Sequence, residues 1–179
     1  MQQSERRLQL RTRTAAAHAA LDIAVGAFDT LASYRRYLLS MSAFRLPLER
    51  QLASQDWPIA IGGWRPKRIA EFLQRDLVDL DLPMPPVLDV MAQLEPQELL
   101  GALYVLEGST LGAKVLFGRA RALGLSAAFG ARHLAVQSDG IATWQEFLGL
   151  LETAEPFDLD RVTTGSLDVF AAASLAFRG

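Results

Sequence analysis

The sequence predicts an all-α fold, a single-domain helical bundle of seven or eight elements. Apolar residues recur at helical spacing along most of the chain, whereas no segment shows the apolar–polar alternation of a β-strand. Proline and glycine collect between the periodic segments, where they mark loops. Because 179 residues with 50% hydrophobic content suffice for a sizeable core and no low-complexity stretch divides them, we expect one domain over residues 1–179.

Three helices are predicted in the first half of the chain. Their predicted ranges are Ser4–Asp22, Leu31–Ser54 and Lys67–Leu80. The stripe that identifies the first helix consists of Leu10, Thr14, His18 and Leu21. Between the second and third helices, Gln55–Pro66 has no sustained period and holds two prolines, two glycines and two tryptophans, so we expect a loop or short turn structure.

The sequence of the second half of the chain predicts a long helix over Pro96–Leu123. Pro96 suits a first helical turn because its missing N–H needs no partner there, and Glu98 favours the positive end of the helix dipole. Gly124 provides the stop. Before this helix three prolines break the chain, and the apolar piece Val87–Leu94 is a candidate short helix.

Two further helices follow towards the carboxyl end. Thr143 with Glu146 three residues later forms a capping-box pattern ahead of an apolar run, which predicts a helix beginning there. The last helix is predicted over Asp160–Phe177.

Composition excludes several classes of function. Eighteen basic residues nearly balance twenty acidic ones, which leaves a formal charge of −2. The chain therefore has no net positive charge that would attract it to nucleic acid or to an anionic membrane. The chain has no cysteine, which excludes disulfides, thiolate-bound metals, thioether-linked cofactors and cysteine nucleophiles. We see no signal peptide and no run long or pure enough to cross a bilayer, so we expect a cytoplasmic protein.

His18 and His133 are the only histidines, and each has two interpretations. A histidine on the inner face of a helix is either a hydrogen-bonded core residue or a metal ligand. His133 is a rival ligand or a structural residue whose ring hydrogen-bonds a neighbouring backbone group. On the third predicted helix, Arg68, Arg75 and Asp76 are candidates for ion pairs that hold the bundle together.

Three glycines interrupt the long helix, namely Gly101, Gly108 and Gly112, and their spacings of seven and four place them close to one stripe. Each costs about 1 kcal/mol of helix stability relative to alanine, so a compensating close approach is expected. Either another helix packs tightly against the stripe, or a flat ligand lies against bare backbone.

Several segments resemble the bacterial branch of one enzyme family, the heme oxygenases. LRTRTAAAHAALD (Leu10–Asp22) is similar to the family's first helix, with its basic residue, threonine and iron-ligating histidine. YVLEGSTLGAKVLFGRARALGL (Tyr104–Leu125) is similar to the distal helix of the bacterial branch. FGARHL (Phe129–Leu134) and the aromatic-led helix near Trp144 also match, so the resemblance touches most of the chain in family order.

The resemblance implies a role for each matching residue. His18 would be the proximal iron ligand, with Thr14 beside it, and Arg11 would pair with a heme propionate. Arg11 lies two turns before His18, about 10 Å along the axis by helix rise, which is comparable with the distance from heme iron to its carboxylate-bearing edge. Gly108 and Gly112 would form the distal floor, with Ser109 next to the oxygen site.

The basic residues that follow the glycines have two interpretations. Lys114, Arg119 and Arg121 would reach the heme edge or a redox partner, or else are solvated surface charges. Two positions can be compared with the pattern of the family. Position 109 is serine, as in the bacterial branch and unlike the aspartate of the animal enzymes, and Gln145 stands where the family pattern implies a lysine that reaches a propionate.

The resemblance also implies an activity. Heme oxygenases use heme as both cofactor and substrate, and with O2 and external electrons they release biliverdin, carbon monoxide and iron. The electrons would come from a separate reductase or a ferredoxin- or flavodoxin-type partner, because the chain has no GxGxxG motif after a strand. The product would supply iron, or a bilin to a phytochrome. The alternatives are a non-catalytic heme-binding or storage protein, and a protein of the same helical fold that binds another small molecule.

Overall fold

The computed structural model of the chain describes residues 5–86 and 93–178. Eight α-helices cover most of these residues, and no β-strand is present among them. The helices are α1 (Glu5–Val25), α2 (Leu31–Ala53), α3 (Ala70–Asp79), α4 (Pro96–Gly108), α5 (Thr110–Ala122), α6 (Arg132–Ser138), α7 (Ile141–Thr153) and α8 (Leu159–Arg178). The all-α prediction is therefore confirmed.

The loop between α2 and α3 contains one short 3-10 turn, Ile59–Ile61, as expected for Gln55–Pro66. Residues 87–92 of the candidate helix Val87–Leu94 lie outside the described residues. Helix α4 begins with Pro96 and Glu98 in its first turn, as the sequence predicts. Glu95 and Glu98 also form a capping box, which was not predicted. Gly124 ends α5 with a φ of +85°, which also confirms its role as a stop.

Two helices start where a distant carboxylate accepts their first amides. Glu49 of α2 accepts hydrogen bonds from the N–H groups of Ile69 (2.9 Å) and Ala70 (3.0 Å), so α3 begins at Ala70 and not at the predicted Lys67. Asp76 of α3 accepts the N–H groups of Arg132 and His133, both at 3.0 Å, at the start of α6. Sequence analysis missed α6 because its cap comes from another helix.

The start predicted for α7 is wrong. The helix begins at Ile141, and the Trp144 N–H already bonds the Gly140 carbonyl at 3.0 Å, so Thr143 lies inside the first turn and does not cap. The chain turns at Gly140, where a Cβ would lie 2.9 Å from the Thr110 hydroxyl of α5. Contact with α5 therefore fixes the turn that starts α7.

The long helix predicted over Pro96–Leu123 is divided at Ser109. Ser109 keeps right-handed dihedrals (φ −63°, ψ −17°), and its N–H still bonds the Val105 carbonyl at 3.1 Å. Its hydroxyl donates to the Leu106 carbonyl at 2.5 Å, a side-chain bond that competes with the regular helix pattern. By length and composition, Pro96–Ala122 does meet the requirement for a membrane span, contrary to expectation, although half of its most apolar stretch is buried inside the protein.

Helix α8 packs against α1, α2 and α4, while α5 packs on α6 and α2 on α3. These contacts form two clusters of buried side chains. One lies among α1, α2, α4, α7 and α8 and includes Leu10, Leu48, Leu103, Phe147 and Val162. The other lies among α2, α3, α5 and α6 and includes Tyr34, Leu38, Leu73, Ala120 and Leu134. Together they hold α1 and the glycine-containing α4–α5 segment in fixed positions.

Candidate functional site

His18 presents an exposed imidazole on α1. Its side chain is 64% exposed, and its Nδ1 lies 2.9 Å from a carboxylate oxygen of Asp22, one turn later. The edge of the ring contacts Phe170 of α8, with the ring centroids 5.8 Å apart. This Asp22 pairing engages one ring nitrogen and orients the ring, so that Nε2 is the nitrogen through which His18 would bind a metal. Asp22 is a site residue that sequence analysis missed, although its i+4 spacing was visible.

Beside His18, α1 and α8 enclose an open and mostly apolar groove of about 440 Å³. Its lining includes Ala17, Ala20, Leu167 and Phe170. Since the Phe170 ring contacts His18 as well as lining the groove, apolar surface reaches the imidazole.

The three glycines of the predicted stripe have different surroundings. The space beside Gly101 is occupied by the backbone of α8. A Cβ at this position would overlap the Val162 carbonyl oxygen and lie 2.7 Å from the Ser166 nitrogen. The helix-packing interpretation is therefore correct at this position. Gly112, by contrast, has no atom within 4 Å of a Cβ, and at Gly108 the nearest is a ring atom of Trp144 at 3.6 Å. Gly112 is therefore open, whereas Gly108 is in van der Waals contact with the Trp144 side chain of α7 but is not approached by the backbone of another helix.

Trp144 of α7 connects the glycine-containing segment to α1. Its ring lies against Gly108 on one side, and the Arg7 guanidinium of α1 lies 5.7 Å from its centroid. Tyr104, one turn before Gly108, packs against the same ring at 5.6 Å. Arg7 and His18 are eleven residues apart, three helical turns, and so share one stripe of α1. These contacts bring the stripe of α1 that carries His18 to the end of α4 that carries Gly108.

The other predicted site residues on α1 differ in accessibility. Arg11 is exposed, on the stripe of His18. Thr14 is buried, with 3% exposure, and its hydroxyl donates to the Leu10 carbonyl at 2.8 Å. Thr14 therefore faces the interior of the bundle, and the expectation that it lines a cofactor site does not fit this placement.

Ser109 lies between Gly108 and Gly112, and its hydroxyl already has two partners. It donates to Leu106, as described above, and accepts a hydrogen bond from Gln137 of α6 at 2.6 Å. Gln137 thereby fixes the hydroxyl at the α4–α5 junction. Lys114 lies on the exposed surface of α5, further along the helix.

His133 is not accessible to a ligand. It is fully buried, its Nδ1 lies 2.8 Å from Asp76, and its ring stacks on Tyr37. A structural role fits, although the ring partner is a carboxylate and not the expected backbone group. Burial lowers the pKa of His133, an effect only partly opposed by Asp76. Burial alone would raise the pKa of Asp76, but the hydrogen bonds from His133 and Arg132 hold it below its usual value.

The predicted ion pairs of α3 are present in part. Asp76 pairs with Arg132 and His133 across helices, whereas Arg75 pairs with Glu71 on its own helix. Arg68 is exposed. The buried charges of Arg45, Glu49 and Glu107 were not foreseen. Arg45 and Glu49 pair with each other one turn apart on α2, and Glu107 accepts the Lys67 N–H at 2.9 Å. Burial raises the pKa of Glu107 despite this amide and the nearby Arg45 and Lys67 charges.

Comparison with known proteins identifies relatives in one family. The chain is 34% identical to heme oxygenase PigA of Pseudomonas aeruginosa over 131 residues, which span 72% of this chain and 66% of that relative's length. Its fold is similar to the crystal structure of heme oxygenase from Neisseria meningitidis, with a TM-score of 0.74 and 25% identity, covering 96% of this chain and 89% of the other. No family model matches the sequence.

These relatives confirm both the resemblance that rests on Leu10–Asp22 and Tyr104–Leu125 and the fold that it implies. The chain belongs to the bacterial heme oxygenase family, whose members use heme as both substrate and cofactor.

Proposed function

We propose that this chain binds heme between His18 and the backbone at Gly108 and Gly112 and cleaves it oxidatively to biliverdin, carbon monoxide and iron. The observation that carries the proposal is that α1 has an exposed imidazole and α5 has an open helical glycine, Gly112, one turn after Gly108, which only the Trp144 side chain contacts. Bound heme supplies the iron that reacts with O2, and electrons arrive from outside the chain.

On the proximal side, His18 holds the iron through Nε2. The Asp22 carboxylate, 2.9 Å from Nδ1, would hold the orientation of the ring and favour the tautomer with a proton on Nδ1. The carboxylate also makes the imidazole a better donor to the metal, as second-sphere partners of histidine ligands do in general. The apolar groove next to Phe170 suits the hydrocarbon face of a porphyrin.

On the distal side, the main chain at Gly108 and Gly112 would form the wall of the site. A side chain at Gly112 would occupy open space, which is the space that a flat ligand needs. Leu111 and Val115 of α5, beside this glycine, are 52% and 59% exposed. A bound porphyrin would cover apolar surface of this kind, which is otherwise costly to leave in water. The glycines' cost of about 1 kcal/mol each is then offset by ligand contact.

Ser109 places a polar hydroxyl near the proposed oxygen site, and this hydroxyl is not a strong acid. Because its hydroxyl is bound by Gln137 and bonds Leu106, it is a fixed dipole. Protons for the reaction would then travel through backbone groups and ordered water. At the edge of the ring, Arg11 is placed to pair with a propionate, and Thr14 is left out of this site.

The reaction needs an electron donor, and we infer a separate reductase or a ferredoxin- or flavodoxin-type protein. Exposed Lys114, Arg119 and Arg121 on α5 give a basic surface that an acidic carrier would recognise. The bilin product would serve a phytochrome, or the reaction would release iron for the cell. A cytoplasmic location suits a supply of reduced carriers, and residues 1–179 would act as one domain.

The test is a hemin titration of wild type and His18→Ala, followed by absorbance in the Soret region. Wild type should bind hemin with a histidine-ligand spectrum, His18→Ala should lose it, and added imidazole should restore it. Asp22→Asn is the matched variant on the same helix and should retain the histidine spectrum. Identical spectra for wild type and His18→Ala would refute the site.

Turnover is measured separately, with hemin, a chemical reductant and catalase. We expect loss of the Soret band together with bilin absorbance and carbon monoxide, trapped on deoxymyoglobin. A stable Soret band without bilin would indicate a heme-binding or storage protein. No hemin binding at all would indicate a different ligand on this fold.

A further inference from the structure

The junction between α4 and α5 is held by Gln137 of α6. The Gln137 side-chain amide donates to the Ser109 hydroxyl at 2.6 Å, and this hydroxyl donates in turn to the Leu106 carbonyl at 2.5 Å. Gln137 is only 6% exposed, so bulk water competes weakly for its amide. Because Gln137 supplies a donor to the Ser109 oxygen, it favours the rotamer in which the Ser109 hydrogen points to Leu106.

The main chain of Gln137 acts on the next residue of the junction. Its carbonyl accepts the Gly140 N–H at 3.1 Å and so closes the turn between α6 and α7. A Cβ at Gly140 would lie 2.9 Å from the hydroxyl oxygen and 3.2 Å from the methyl carbon of Thr110, so this turn fits closely against the first residue of α5. Gln137 therefore influences two successive positions, Ser109 through its side chain and Thr110 through the turn that it closes.

Helix α6 does not depend on the Gln137 amide for its attachment to the bundle. Asp76 accepts two N–H groups at the start of α6, as described above. Near the end of α6, the Lys67 ammonium donates to the Val136 carbonyl at 3.0 Å, and the Lys67 N–H donates to Glu107 in the last turn of α4 at 2.9 Å. The bond from Gln137 to the serine is additional to this attachment, and what it determines is the geometry of the junction.

The geometry at Ser109 determines how the two glycines of the proposed site are placed relative to each other. Gly108 ends α4 and Gly112 lies in the first turn of α5, on either side of Ser109. A serine hydroxyl that bonds a carbonyl of the preceding turn often bends a helix. We propose that Gln137 is a positioning residue: by holding the Ser109 hydroxyl in place, it sets the direction in which α5 leaves α4, and thereby the position of Gly112 at the heme. This inference rests on the proposed function.

The contact itself is tested in the heme-free protein by a double-mutant cycle. Gln137→Met keeps the length of the side chain and removes its donor, and Ser109→Ala removes the hydroxyl. Each variant should lower the urea midpoint, and Gln137→Met should lower it less in the Ser109→Ala background, because its partner is already missing. Ser138→Ala is the matched control on α6, since that hydroxyl donates to Ala135 on its own helix, and in its background Gln137→Met should have its full effect. Additive changes for Gln137→Met and Ser109→Ala would overturn the inference.

The effect on the site is tested with hemin. Gln137→Met should bind hemin about fivefold more weakly than wild type, as expected for the loss of one hydrogen bond that shapes the site, whereas Ser138→Ala should match wild type. The C–O stretching band of the reduced protein with carbon monoxide reports the polar groups on the distal side. Wild type and Ser138→Ala should give one narrow band and Gln137→Met a broadened or displaced one. In the Ser109→Ala background, Gln137→Met should not change the band further.

Two results distinguish failure of this inference from failure of the proposed function. A Gln137→Met protein that is less stable but keeps the hemin affinity and the carbon monoxide band of wild type would show a purely structural role, and would overturn the inference while the heme site stands. If wild type binds no hemin, the proposed function fails and this inference with it.

Discussion

Two glycines of α5 allow a controlled test of where the ligand lies. Gly112 and Gly118 are both exposed, both helical, and neither has an atom within 4 Å of a Cβ. Six residues separate them, which turns their faces about 120° apart around the helix. Replacing each with leucine therefore makes the same chemical change on two different faces of one helix.

The expected stability change is the same for both variants. Leucine is favoured over glycine in a helix interior by about 0.7 kcal/mol, since no neighbour must move to admit it. For a chain of this size, that corresponds to a rise of about 2 °C in melting temperature. Circular dichroism during heating measures it, and both variants should be at least as stable as wild type.

Hemin binding should separate the two variants. A leucine at Gly112 would fill the space assigned to the porphyrin, at an overpacking cost of about 1–3 kcal/mol, which corresponds to roughly fivefold to 150-fold weaker binding. Gly118→Leu should bind hemin as wild type does. Gly108→Leu should also block the distal face while leaving the fold largely intact, although its longer side chain would press on Trp144, which is why Gly112 is the sharper test.

The reasoning would be refuted by a Gly112→Leu protein that binds and degrades hemin as wild type does. It would equally be refuted if Gly118→Leu lost hemin affinity to the same degree, because the effect would then not depend on the face of α5.

Three further results are expected. Gly101→Ala should lower the free energy of unfolding by at least about 2 kcal/mol in urea titrations, because its Cβ would overlap the Val162 carbonyl; an unchanged midpoint would contradict the α4–α8 contact. Stability should fall as the pH drops below about 6.5, because His133 takes up a proton more readily unfolded than folded; the slope between pH 7 and 5 should be smaller in His133→Gln, and an equal slope would argue against it. Asp22→Asn should keep the histidine spectrum but bind hemin about tenfold more weakly, whereas full affinity would show that the pairing with His18 has no effect on the ligand.

Local features of the chain were largely predictable from sequence. Helical spacing identified α1, α2 and α8 to within a few residues, and the Pro96 start and Gly124 stop were found because their chemistry is contained in neighbouring residues. Gly108, Gly112 and the His18 segment were also visible, since each depends on residue type and spacing alone.

The failures share a physical cause, which is that the deciding partner is distant in sequence. Helices α3 and α6 begin where Glu49 and Asp76 accept their amides, and no local pattern shows such caps. Likewise, spacing placed Gly101 on one stripe with Gly108 and Gly112. Only Gly101 is packed against the backbone of another helix, α8, so tightly that a side chain would not fit. Thr14 shares a stripe with His18, yet that stripe is wide enough for one residue to be buried and the other exposed.

The reciprocal glycine contact between α4 and α8 limits how the protein can accommodate a ligand. Gly101 lies against the backbone of Val162, and Gly165 lies against that of Glu98, so the two main chains touch at two points and leave no room to slide. The Ser166 hydroxyl fastens the crossing by donating to the Gly101 carbonyl at 2.9 Å. Because α4 is held against α8, we expect a change in the width of the proposed site to come from α5, which would rotate relative to α4 at Ser109.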